Sequence, residues 1–192
     1  MTSPERTAPE WTEAFDVGSA EQLQSLAERL ARYLVPGDLL VLTGELGAGK
    51  TTFTQGLGRG LGVRERIISP TFVLVRQHPS LADGPGLIHV DAYRLESAAA
   101  VDDLDLEATL DANVTVIEWG AGRVEHLSGS HLRVTIERPL GTRTAAGAPA
   151  LPVAASAPVT EFDDDGADEL RTVTLTASGP RWHGRHPALS LD

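Results

Sequence analysis

Lys50 is the only lysine in this chain, beside fifteen arginines. It closes the run Gly44-Glu45-Leu46-Gly47-Ala48-Gly49-Lys50-Thr51, which fits the phosphate-binding pattern G-x-x-x-x-G-K-S/T at every fixed position. Where a positive charge only needs solvation or an ion pair, the chain uses arginine. A compact ammonium on a flexible stem reaches between β- and γ-phosphates in a way that a planar guanidinium cannot copy. The glycines let successive backbone N–H groups converge on phosphate oxygens, and a helix N-terminus behind them adds unpaired donors and partial positive charge. The expected nucleotide-binding set is therefore Glu45, Leu46, Gly47, Ala48, Gly49, Lys50, Thr51 and Thr52. The Thr51 hydroxyl is a ligand for a Mg²⁺ ion that bridges the β- and γ-phosphates.

Such a loop needs a further carboxylate at the tip of a neighbouring strand, for the metal shell or the attacking water. Leu87–Val90 runs into Asp91 and Val114–Ile117 runs into Glu118, and spacing does not rank the two. Thr71, in Ser69-Pro70-Thr71-Phe72, reads either as a switch-type sensor of the γ-phosphate or as part of a proline-initiated turn. Arg94 offsets phosphate charge or pairs at the surface. Trp119 stacks on a base, covers the site, or packs in a core or an interface. The six histidines have no metal-ligand spacing, and His89, inside an apolar run, reads as a hydrogen-bonded core residue.

These groups need positioning elements. Ser19 and Gln22 form a capping-box signal, and Leu23, Leu26, Ala27, Leu30 and Leu34 keep helical spacing up to Pro36-Gly37. Leu39–Thr43 reads as a buried strand of a parallel sheet, leading directly into the loop. Phe53, Leu57 and Leu61 give the next helix an apolar face, while Gly56, Gly58 and Gly60 predict that it ends early. Strand resumes at Val73–Val75, Pro79–Gly86 is a turn-rich connection, and 96–112 reads as helix. His131–Glu137 and Arg171–Thr176 alternate with period two and suit a paired antiparallel hairpin. Between them, 139–169 shifts to an Ala/Pro/Gly/Thr stretch and then an acidic one, the composition of a disordered insertion. Residues 1–10 read as a disordered tail and 179–192 as a featureless one, leaving one domain at 11–178.

The bulk numbers limit the function classes. At 192 residues and 41% hydrophobic content the chain can bury a real core. No apolar run approaches the roughly 20 residues that cross a bilayer, and the first residues lack the pattern of a signal peptide. With no cysteine there is neither a disulfide framework nor a thiolate metal site. The expectation is a cytoplasmic protein with no membrane role. A net charge of −11 argues against this surface holding a nucleic-acid backbone unaided.

Taken jointly, Gly44–Thr52, Ser69-Pro70-Thr71-Phe72, His89-Val90-Asp91-Ala92-Tyr93-Arg94 and Ile117-Glu118-Trp119 resemble the bacterial TsaE (YjeE-type) family. The resemblance implies an α/β, P-loop NTPase-like fold with a mostly parallel central sheet flanked by helices. It implies ATP hydrolysis with Mg²⁺, in a complex with TsaB and TsaD subunits that makes threonylcarbamoyladenosine beside the tRNA anticodon. The tRNA would be reached only through those partners. By position it makes Lys50 the β/γ-phosphate ligand, and Thr51 and Glu118 the metal-associated pair. Thr71 and Asp91 become nucleotide-responsive positions, and Trp119 a neighbour of the site. Gly120-Ala121 stands where many relatives have proline, and 139–169 has no counterpart in the compact family pattern. Two rivals fit the same loop: a small-molecule kinase, though no arginine-rich lid follows the core, and a non-hydrolysing, ATP-gated scaffold. A GTP switch fits less well, since there is no N-K-x-D motif and the only lysine is already in the loop.

Overall fold

The apolar run ahead of the glycine-rich loop is the middle strand of a seven-stranded sheet. In chain order the elements are β1 (Trp11–Val17), α1 (Ala20–Ala31), β2 (Leu39–Thr43), α2 (Lys50–Leu61), β3 (Val75–His78), β4 (Gly86–Asp91), α3 (Ala98–Asp102), α4 (Glu107–Leu110), β5 (Asn113–Glu118), β6 (His131–Glu137) and β7 (Arg171–Ser178). The computed structural model describes residues 8–64, 66–138 and 170–190. The expected tail at its first seven residues and the expected insertion at 139–169 lie outside these.

The strand order is β1-β7-β6-β2-β5-β4-β3. The inner strands β6, β2, β5 and β4 run parallel, whereas β1/β7, β7/β6 and β3/β4 pair antiparallel. The expectation of a mostly parallel sheet is corrected to a mixed one. Pro79–Pro85 is too short for a crossover helix, so β3 must fold back beside β4. The β6/β7 pairing is itself antiparallel, with Glu137 opposite Thr172.

β2 is buried on both faces because its side chains alternate between two cores. Leu40 and Leu42 join α1 and α2 on one side, and Leu39 and Val41 meet Val101, Leu106 and Val124 on the other. Each such side chain contributes roughly 2 kcal/mol on burial. The sheet is thus clamped where the loop begins.

Ser19 caps α1 through Oγ to the Gln22 N–H at 3.2 Å, and Gln22 Oε1 accepts from the Gly18 N–H at 2.7 Å. The helix stops at Ala31, earlier than Pro36, because the bonds from Tyr33 to Leu30 and from Leu34 to Ala31 tighten the last turn. Leu34 stays buried all the same.

The expected early end of α2 is also corrected: it runs to Leu61 and stops at Gly62, whose φ is 66°. A Cβ on Gly56 would stand 2.3 Å from the Gln24 carbonyl oxygen, and one on Gly60 2.5 Å from that of Glu28. These glycines, one helical turn apart, let the backbones of α1 and α2 touch. Gain in packing outweighs their helix penalty of about 1 kcal/mol each.

Other boundaries move for local reasons. Val73 and Leu74 belong to a turn in which both N–H groups bond to the Pro70 carbonyl, so strand begins at Val75. The 96–112 stretch splits into α3 and α4 around Asp105, whose φ is 51°. β1 carried no clear signal because Glu13 interrupts its apolar alternation and instead faces His186 at 3.1 Å. The segment after Gly179 is no bare tail. Trp182 is 2% exposed and meets Trp11 edge to face at 5.8 Å, and Arg181 Nε donates to the buried Asp38 at 2.9 Å. Among the described residues no helix is long and apolar enough to cross a membrane.

Candidate phosphate-binding site

The loop between β2 and α2 is shaped by backbone that only glycine adopts cheaply. Gly44 has φ 149° and a Cβ there would meet the Ile136 carbonyl oxygen of β6 at 2.5 Å, while Gly49 has φ 108° at the N-cap of α2. Any side chain at Gly44 would push the loop off the sheet. Ala48 is buried beneath the loop, and Glu45 and Leu46 stand exposed on its rim. Thr51 and Thr52 occupy the first turn of α2, half-buried.

Lys50 folds back over this loop. Its Nζ donates to the Gly44 and Glu45 carbonyls at 2.9 Å each and lies 3.7 Å from the centre of the Trp119 ring. Burial pushes its pKa below the ordinary 10.5; Glu118 and Asp91 pull it back up, and Arg138 pushes it further down. The ring of Trp119 thus lies over the ammonium. Trp119 itself has φ 64°, a conformation held by its N–H to the Leu42 carbonyl at 3.1 Å.

The two carboxylates that spacing could not rank stand side by side, Asp91 opposite Glu118 in the parallel β4/β5 pair. Their partners differ. Glu118, 3% exposed, accepts at Oε1 from Thr51 Oγ1 at 3.1 Å and from His89 Nε2 at 2.8 Å. Asp91 Oδ2 accepts from Thr71 Oγ1 at 2.7 Å and Ser69 Oγ at 3.0 Å, and Oδ1 from the Tyr93 N–H at 2.9 Å. Glu118 thus faces the loop, and Asp91 ties down the 69–71 segment. Arg94 stacks on Phe72 at 5.0 Å, and Tyr93 meets Trp119 edge to face at 5.3 Å.

His89 is the hydrogen-bonded core residue expected, though its partner was not named, and Arg138 was not singled out by the sequence. His89 is fully buried, with Nε2 2.8 Å from Glu118 Oε1. The period of two that puts His89 and Asp91 on one strand face was the available signal. Arg138 follows β6, and its Nη2 donates to the Gly47 carbonyl; that approach depends on sheet order, which no local pattern carries.

No group of three or more His, Asp or Glu able to cage a metal exists among the described residues. What the site offers a cation is a hydroxyl and a carboxylate 3.1 Å apart, Thr51 and Glu118. That donor set suits a hard ion which keeps waters and takes its remaining ligands from phosphate. A separate cavity of about 400 Å³ opens near the far end of α2, among Arg59, Arg64 and Arg66, and shares no lining residue with the loop.

Comparison with known proteins agrees with these features. Residues 17–145 match the family model described as threonylcarbamoyl adenosine biosynthesis protein TsaE. The tRNA threonylcarbamoyladenosine biosynthesis protein TsaE of Streptomyces coelicolor is 48% identical over 161 residues, covering 83% of this chain and 93% of that one. Its namesake in Bacillus subtilis is 38% identical over 120 residues, covering 62% and 73%. The crystal structure of Bacillus subtilis YdiB superposes with a TM-score of 0.61 at 28% identity, covering 91% of this chain and 90% of that one. The family match spans Gly44–Thr51, both strand-end carboxylates and Trp119 alike, and with close relatives aligned over most of its length, this chain belongs to the TsaE family.

Proposed function

We propose that this chain is a magnesium-dependent ATPase of the P-loop type that serves tRNA threonylcarbamoyladenosine biosynthesis in the cytoplasm. It acts with TsaB and TsaD subunits and reaches tRNA only through them. The observation that carries the reading is the Lys50 ammonium held at the mouth of the glycine-rich loop by two carbonyls at 2.9 Å, beside the Thr51–Glu118 pair. Carbonyl oxygens are weak partners for an ammonium, and phosphate oxygens are stronger ones.

In this reading the backbone N–H groups from Glu45 to Thr52 hold the phosphates and Lys50 bridges the β and γ groups. Thr51 and Glu118 would hold Mg²⁺, which supplies charge to the transferring phosphoryl group. Glu118, fixed by His89, orients the attacking water. The water oxygen bonds to the γ-phosphorus, the bond to the ADP oxygen breaks, and the water proton ends on inorganic phosphate. Asp91 holds Ser69 and Thr71 so that Thr71 registers the terminal phosphate, and hydrolysis releases that segment.

The ring over Lys50 supports slow turnover, since in this reading Lys50 exchanges its contacts with Trp119 and the two carbonyls for phosphate oxygens. ATP binding and hydrolysis then reset the TsaB–TsaD complex between cycles. The same contact also favours the second reading, an ATP-gated scaffold that does not hydrolyse. Phosphate release by the purified chain, alone and with TsaB and TsaD added, separates the two. Lys50→Ala is expected to abolish multiple-turnover modification by the complex while sparing a single turnover; undiminished multiple turnover overturns the proposal.

A further inference from the structure

We propose that Arg138 holds the nucleoside end of the bound nucleotide, its guanidinium plane lying against the base. This rests on the reading of the loop as an ATP site and supplies what that reading leaves open, the recognition of everything beyond the phosphates.

The argument starts from the sheet. β2 carries the loop, and its neighbours β5 and β6 mark the two lips of the site. On the β5 lip stands Glu118, bonded to Thr51 at 3.1 Å, with Asp91 on the strand beyond. These are the groups for a metal and a terminal phosphate. On the β6 lip stands Arg138, directly after Glu137. Alternation along β6 puts it on the same face as Leu132, Val134 and Ile136, the face covered by α1 and α2. A triphosphate is a short rod. With its terminal group at Lys50 and Thr51, beside Glu118, its other end emerges on the opposite lip.

The contact with the loop fixes the guanidinium there. Nη2 donates to the Gly47 carbonyl, and a Cβ on Gly47 would stand 2.8 Å from that same nitrogen. Arg138 therefore lies on the loop with no side chain between them. Arg171 of β7 is 3% exposed, one residue beyond the Glu137–Thr172 register pair, and adds a second cation on this face near Gly49. A guanidinium donates at its edge and stacks at its face, so one group can keep the Gly47 bond and cover a purine ring at once. An ammonium could do only the first.

Calorimetric titration of the full chain with ATP and with inorganic tripolyphosphate, both with magnesium, tests this. Tripolyphosphate has every phosphate and no nucleoside. Arg138→Gln is expected to weaken ATP about tenfold and leave tripolyphosphate within about twofold. Arg138→Lys recovers only part of the ATP loss, and Lys50→Ala weakens both ligands. Unchanged ATP affinity in Arg138→Gln overturns the proposal and leaves the ATP site standing. An equal loss for both ligands also overturns it, by making Arg138 a brace of the loop. Wild-type protein that binds neither ligand overturns the ATP site and this role together. Because tripolyphosphate binding reports a formed loop in each variant, misfolding is visible as such.

Discussion

Glu118 is the side chain on which the site's chemistry converges, since one of its oxygens serves Thr51 and His89 together. Replacing it with glutamine keeps an acceptor for both donors but removes the charge. Glu118→Gln is expected to lower ATP turnover by about 100-fold while ATP affinity moves by less than about threefold; phosphate release and calorimetry on the same preparation check this. A parallel loss of affinity would show that the carboxylate mainly builds the pocket. Much of this residue-level picture is legible without coordinates. Gly44–Thr51 is a local pattern, and Asp91 and Glu118 each end an apolar run. What stays hidden is pairing: which carboxylate meets Thr51, which holds Thr71, which group bonds to His89, and that Arg138 reaches the loop. Those facts follow from strand register, a relation between segments tens of residues apart.

At the scale of elements, the contact between α1 and α2 is the feature that composition misleads about most. Three glycines at alternate positions in a twelve-residue helix suggest weakness, yet two of them are the surface on which α1 rests. Gly56→Ala gains helix propensity and still drives a methyl into the Gln24 carbonyl at 2.3 Å. It is expected to lower stability by about 2 kcal/mol, measured by urea denaturation, with α1 bearing the displacement. A neutral or stabilising result would mean that the two backbones can part at little cost. The same lesson covers the other misread elements. Propensity sees neither the carbonyl of Pro70 taking two N–H groups nor a strand such as β1, whose alternation is broken by the inward Glu13. The apolar strands β2, β4 and β5 were legible because burial on both faces leaves a continuous run in the sequence.

For the molecule as a whole, two partly buried histidines make stability depend on acid. Burial is the main cause holding the pKa values of His78 and His131 below the ordinary 6.5, helped at His78 by His89 and Arg76 and at His131 by Arg133, while Glu125 opposes it there. With folded values depressed, the unfolded chain takes up these protons first, so stability falls as pH drops below about 6.5 until the folded values are reached. Melting temperatures from pH 7.5 to 5 are expected to decline, and a His78→Asn, His131→Asn double variant to decline less steeply; identical slopes would remove both histidines from the account. The net charge of −11 and the arginine-lined cavity at the far end of α2 show that charge is unevenly distributed over the surface, something composition alone does not disclose. Finally, β1 lies at the sheet edge with β7 as its sole strand neighbour among the described residues, Trp11 opposite Ala177 and Val17 opposite Arg171. A nascent chain therefore carries β1 without this partner until Arg171–Ser178 has been synthesised. That edge of the sheet closes between distant segments, and its second half is made well after the glycine-rich loop.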